Sequence, residues 1–235
     1  MENSRQQIDS LHTSCIGLIK DGYLDQAYEG LLQGSSMLSS CVRGSPPVHL
    51  KSTAAINQRH SEIYVCSDES EEETDDGTTD FYPHPFDFEY ADDLPSSPSR
   101  SQPDLTSSQY ETSALVFLFN LGVCCHLAWE QDQSNLRYLV KASEFYQRAI
   151  AFLQNKDRTT FVPTGTVLKV LLAITINAAH CSATLLLRDR VALWESILHD
   201  LLRFASTDIF NSKDYRFMRG LLFQRPNQMI TAKAA

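Results

Sequence analysis

At 235 residues the chain can hold one large domain or two small ones, and 43% hydrophobic residues are enough for a real core even though the mean hydropathy is −0.25. Thirteen of the 29 acidic residues, and none of the 20 basic ones, lie between positions 60 and 99, so the net charge of −9 belongs to one segment and the remainder is mildly basic. That distribution argues against nucleic acid as a partner: the acidic arm repels phosphate, and Arg100, Arg137, Lys141, Arg148, Lys156 and Arg158 form no dense basic run.

In chain order, Ile8, Leu11, Cys15, Leu18 and Ile19 make a helical stripe that Asp21-Gly22 interrupts. Leu24, Ala27, Leu31 and Leu32 continue on a second helix, which predicts a helical hairpin over 5–41. Gly44-Ser45-Pro46-Pro47 closes it, because neither proline can continue a helix. Residues 44–110 read as an acidic, Ser/Pro-rich insert, partly disordered. Ile63-Tyr64-Val65 favours a strand within 61–66, and the charge block 67–76 has nothing to bury. Phe86, Phe88 and Tyr90 then alternate with Asp87 and Glu89, a period of two that predicts a strand within 84–90. The two strands would make a small β-hairpin, or two strand-like arms flanking the acidic loop, resting an aromatic face on the helices. Pro95, Pro98 and Pro103, set among serines, form a linker.

From about Thr106 the pattern is helical almost to the end, with second and third hairpins and a final helix over 111–224 and a flexible tail over 225–235. One long helix ends near Asp132. The next carries Leu136, Leu139, Tyr146, Ile150 and Leu153 on one face, a third spans about 166–188, and a fourth carries Leu193, Trp194, Ile197, Leu201 and Phe204. Asp208 is placed to cap a last helix containing Phe217, Leu221 and Leu222. Residues 114–129 are strongly apolar, but at 16 residues they fall short of the ~20 that a spanning helix needs. The longer run 167–187 carries Lys169, Asn177 and His180, each expensive inside a bilayer. Both are read as helices buried between neighbours, with no membrane involved. Six cysteines without a C-x-x-C, behind a polar amino terminus, indicate reduced thiols and a cytoplasmic setting, the nucleus being left open.

The long helix that ends near Asp132 and the helix after it share a spacing. Leu118, Leu121, Gly122 and Cys125 on one helix face Ala142, Tyr146 and Ala149 on the next, and Leu11, Leu18, Gly22, Ala27 and Leu31 repeat the small-and-large alternation at the amino end. Small residues let helix axes approach to about 8–10 Å while large ones fill the facing grooves, and such a hairpin has to stack on another to bury its apolar surface. This grammar resembles the tetratricopeptide repeat. The departures are a longer connection around 132–139, Cys15 in place of the expected Gly, and a third pair that keeps only Asn177-Ala178-Ala179. The resemblance implies an all-α chain of antiparallel hairpins stacked as a short right-handed superhelix, with a peptide groove lined by the first helix of each pair. An ordinary helical bundle uses the same helices and stays open.

In that groove the candidate contact residues are Asn120, Asn177 and His12. Asn120 sits at the position where one subset of the family clamps a carboxylate, but Asn177 and His12 stand where that clamp needs cations. Chaperone-tail capture is therefore rejected. For the two asparagines, peptide contact and buried interhelical hydrogen bonding are equally weighted. Cys124-Cys125-His126 and His180-Cys181 cannot make a tetrahedral metal site from consecutive helical positions about 100° apart, and packing is favoured for both. No hydrolase or metalloprotease signature and no phosphate-cradling loop occurs, so no catalysis, cofactor or metal is expected. The acidic segment has three readings: a solvated spacer, an arm tuned by phosphorylation at Ser67 and Ser70, and a ligand-like segment whose Phe81-Tyr82 and Phe86-Asp87-Phe88-Glu89-Tyr90 occupy the chain's own groove and compete with a partner. The expected function is a non-catalytic adaptor that binds a protein or peptide partner. The alternative is a structural subunit of an obligate complex, with Trp194, Phe204, Phe217 and Phe223 as uncovered apolar surface.

Overall fold

The stripe that begins at Ile8 stops at Gly22, whose φ of 79° only glycine adopts without cost. There the Tyr23 N–H donates to the Leu18 carbonyl (2.8 Å) and the Gly22 N–H to the Ile19 carbonyl (3.1 Å), the paired bonds that satisfy the last carbonyls of a helix. The computed structural model describes residues 2–41, 81–87, 107–154 and 165–202. Among these are six helices: α1 (Glu2–Lys20), α2 (Leu24–Cys41), α3 (Ser107–Gln131), α4 (Leu136–Gln154), α5 (Gly165–Thr184) and α6 (Arg188–Leu202).

The turn from α5 to α6 repeats the first one bond for bond. Leu187 donates to Ser182 (2.8 Å) and Leu186 to Ala183 (3.0 Å), and Leu186 takes the left-handed place of Gly22 with φ 62°. A leucine there costs about 1–2 kcal/mol. That strain explains why sequence reading ran the third helix to about 188, past its real end at Thr184: no glycine marks the stop. Between α3 and α4 the connection is only 132–135. The extra spacing noted in the sequence goes into added helical turns, α3 having 25 residues and α4 19.

Each helix packs on the next along the chain, and α3 also meets α5. The interfaces are built by size complementarity. A β-carbon at Gly122 on α3 would collide with the Tyr146 ring of α4 (Cζ 2.8 Å, Cδ1 2.9 Å), so the tyrosine lies directly on bare backbone. In the first pair the sizes are exchanged: Cys15 on α1 fills the space above Gly30 on α2, 2.5 Å from where a β-carbon would sit. Gly34 in turn receives the Phe117 ring, joining α2 to α3. Ala142, Tyr146 and Ala149 are fully buried.

α3 and α5 are apolar nearly all round because neighbours cover them on several sides. The stretch Thr112–Gln131 does reach 20 residues, and with Val167–Thr184 it is long and apolar enough to cross a membrane. Yet 78% and 72% of these two stretches, respectively, are buried within the fold. On α6, Trp194 is buried, its Nε1–H donating to Ser182 Oγ (3.2 Å), which corrects the expectation that it is left uncovered. Phe204, Phe217, Phe223 and the expected last helix lie outside the described residues, as do Ser67, Ser70 and the strand expected within 61–66. Of the strand expected within 84–90, residues 84–87 are described, and no strand occurs among the described residues. The described part of this segment makes its main-chain hydrogen bonds to side chains instead of to a partner strand.

Candidate functional site

Asn120 on α3, Asn177 on α5 and His12 on α1 lie in three different helices, and all three are fully buried, meeting one stretch of the chain itself, residues 81–87. An extended segment pressed onto helices has no ladder to satisfy its main chain, and each orphaned group would cost about 1–3 kcal/mol. Here two side-chain amides do that work. The Tyr82 N–H donates to Asn177 Oδ1 (2.7 Å), and Asn177 Nδ2 donates back to the Tyr82 carbonyl (3.0 Å). The Phe86 N–H donates to Asn120 Oδ1 (3.0 Å), and Asn120 Nδ2 returns a bond to the Phe86 carbonyl (2.9 Å). Between the two grips stand Pro83 and Pro85, which have no N–H to satisfy, and an exposed His84.

The remaining amide protons fix the surroundings. Asn120 Nδ2 lies 3.0 Å from His12 Nε2. An amide NH2 can only donate, so His12 Nε2 accepts and the ring proton sits on Nδ1, 3.8 Å from Asp87 Oδ1. Burial pulls the His12 pKa down to about 4, against the opposing pull of the Asp87 carboxylate. The second grip is backed similarly. Asn177 Nδ2 donates to the Tyr146 hydroxyl (3.1 Å), which lies 3.4 Å from His126 Nδ1, and His126 Nε2 lies 2.9 Å from His180 Nδ1. One consistent set of protons runs through this chain: Tyr146 donates to His126, and His126 donates to His180.

The aromatic side chains fill the space around the grips. Phe81 stacks on the His126 ring (centroids 3.8 Å, planes 10° apart). Tyr82 stacks on Phe86 (5.5 Å, 16°), and Phe86 leans on Phe119 at 5.1 Å. The same tyrosine that packs on Gly122 thus also supports the groove, its hydroxyl held well above the usual range mainly by burial.

The three residues singled out in the sequence therefore converge. Both asparagines make buried interhelical hydrogen bonds, Asn120 to His12 and Asn177 to Tyr146, and each also holds the main chain of the protein's own segment 81–87. What sequence reading missed is that His126 and His180-Cys181, each set aside as packing, meet across α3 and α5, with Cys181 Sγ 3.8 Å from His126 Nδ1. The missed signal was the offset: Asn120 to His126 is six residues, and Asn177 to His180-Cys181 is three to four, so each asparagine sits about one or two turns ahead of its histidine. Among the described residues no cluster of three or more His, Cys, Asp or Glu side chains could hold a metal ion. Cys15, Cys124 and Cys125 are buried free thiols, and burial pushes each up, Cys125 to about 12, away from the reactive thiolate form. No family model, curated protein or solved structure matches the chain. Function has to be read from the geometry alone.

Proposed function

We propose that this protein is a non-catalytic binding module, a short array of tetratricopeptide-like hairpins whose groove across α1, α3 and α5 holds an extended peptide. The observation that carries this reading is the pair of reciprocal amide grips on the main chain of Tyr82 and Phe86. A buried asparagine used only to join helices has no need of both its polar atoms on the backbone of a third element. The shared turn geometry of α1–α2 and α5–α6 supports a repeat, as do the complementary pairs Gly122/Tyr146 and Cys15/Gly30. In this reading the protein is an adaptor, working in the cytoplasm, with the acidic arm 60–99 as the source of its own groove occupant.

The test compares partners captured by the full chain with those captured by Asn120→Ala/Asn177→Ala, quantified by mass spectrometry with circular dichroism as the folding control. Loss or gain of specific partners at least about tenfold is expected, since each removed grip takes roughly 1–3 kcal/mol from whatever it holds. Identical partner sets from two equally helical proteins would sink the groove. The structural-subunit alternative draws on Leu193 and Leu202, exposed on α6; a well-behaved monomer by light scattering would count against it.

A further inference from the structure

Resting on the groove reading above, we infer that the partner is an extended, proline-spaced segment of another protein, with two adjacent aromatics, a third aromatic four residues after the second, and a carboxylate directly following. Residues 81–87 occupy its place until it arrives. The two grips touch only main-chain atoms, so they accept any extended chain with an N–H at the places of Tyr82 and Phe86. Selection is left to the side chains. A flat ring is needed at the place of Phe81, where the His126 imidazole offers a parallel face. Rings are needed at the places of Tyr82 and Phe86, which stack on each other and meet Phe119. A carboxylate is favoured at the place of Asp87, beside the Nδ1–H of His12. Pro83 and Pro85, which carry no N–H, stand between the two grips, and the exposed His84 sets its ring edge-on to Tyr82 (centroids 5.5 Å).

The occupant is bound as a ligand is bound. It joins no sheet and no helix, and 39 residues separate it from α2 and 19 from α3, so leaving the groove breaks no secondary structure among the described residues. Being part of the same chain gives it an effective concentration that a separate partner has to overcome. A weak partner is therefore excluded by competition, and a partner that matches the pattern more closely, or is presented more than once, displaces it.

The test uses a fluorescein-labelled synthetic peptide of residues 79–89 and the full-length chain, read by fluorescence anisotropy. Two chain variants empty the groove, Phe86→Ala and the triple Phe81→Ser/Tyr82→Ser/Phe86→Ser. The peptide is expected to bind the triple variant at least about tenfold more tightly than the unaltered chain, with the single variant in between. A peptide lacking the rings at the places of Tyr82 and Phe86 should bind at least about tenfold more weakly, and Asn177→Ala in the triple background should weaken binding by a similar factor. Binding indifferent to the rings would overturn the partner class while leaving the groove standing. No binding to a variant that keeps its helicity would overturn the groove itself. Equal binding to emptied and unaltered chains would overturn the displacement, and so would loss of folding in both variants, since the segment would then be core. A concentration-dependent dimer of the unaltered chain that the triple change abolishes would assign the groove to a second copy and overturn the partner reading.

Discussion

His12 accepts a hydrogen bond from Asn120 through the nitrogen that protonation would occupy, so the folded site and the imidazolium compete. Burial wins over the nearby Asp87 carboxylate and holds the pKa near 4, against an ordinary value of 6.5. The sign follows. Above about pH 6.5 the ring is neutral in both folded and unfolded chains and contributes nothing to the pH dependence. Below it the unfolded chain takes up a proton that the folded one refuses, so stability falls as pH drops from 6.5 towards 4. A shift of this size corresponds to roughly 2–3 kcal/mol lost between pH 7.5 and 4.5. His12→Gln, which keeps a neutral hydrogen-bonding group, should remove that part of the decline. Asp25 and Glu130, whose carboxyls are pushed up by burial, act in the opposite direction and are common to both proteins, so the difference isolates His12. Urea midpoints at a series of pH values check this; parallel curves for the two proteins would mean that the ring is solvated.

Asn120 and Asn177 could be picked from sequence because they stand at equivalent places, before Leu121-Gly122 and Ala178-Ala179, in two apolar helices. Their job could not, since the groups they hold are main-chain atoms, which leave no mark in a sequence. The helices themselves were legible where a stripe ended in a helix breaker, as at Gly22, and blurred where the breaker was Leu186, a residue whose identity conceals its left-handed backbone. The helix pair around Gly122 was legible because a glycine in an otherwise apolar helix demands a facing side chain, and Tyr146 supplies it. Gly30 escaped notice because the familiar order, small residue on the first helix and large on the second, is inverted there. These contacts predict that Gly122→Leu costs at least about 1–3 kcal/mol by overpacking, with further loss at the groove because Tyr146 also holds Asn177. Chemical denaturation of the two proteins measures it. An unchanged midpoint would mean that α3 and α4 are not pressed together at this glycine.

Segment 81–87 reaches α5 through Tyr82, α3 through Phe86 and α1 through Asp87, while α1 and α5 are not among the closely packed pairs. It therefore joins three helices of which, among the described residues, α1 and α5 are not closely packed on each other. How firmly it does so can be estimated. Three buried aromatic side chains contribute about 1.5–3 kcal/mol each, and the four amide hydrogen bonds about 0.5–1.5 kcal/mol each. Ordering seven residues costs about 1–2 kcal/mol per residue, less at the two prolines, whose φ is fixed in advance. The gains and the ordering cost are of similar size, so the segment is held by a small difference between them. The segment should then open on its own, without unfolding of the helices beneath it. Native-state hydrogen exchange gives the measurement: the Tyr82 and Phe86 amides are expected to be protected about 10²- to 10³-fold, the α3 amides around Asn120 far more, and Asn177→Ala should abolish protection at Tyr82 first. Exchange at Tyr82 and Phe86 as slow as at the centre of α3 would mean that the segment leaves only when everything does, and a groove that never opens cannot receive a partner.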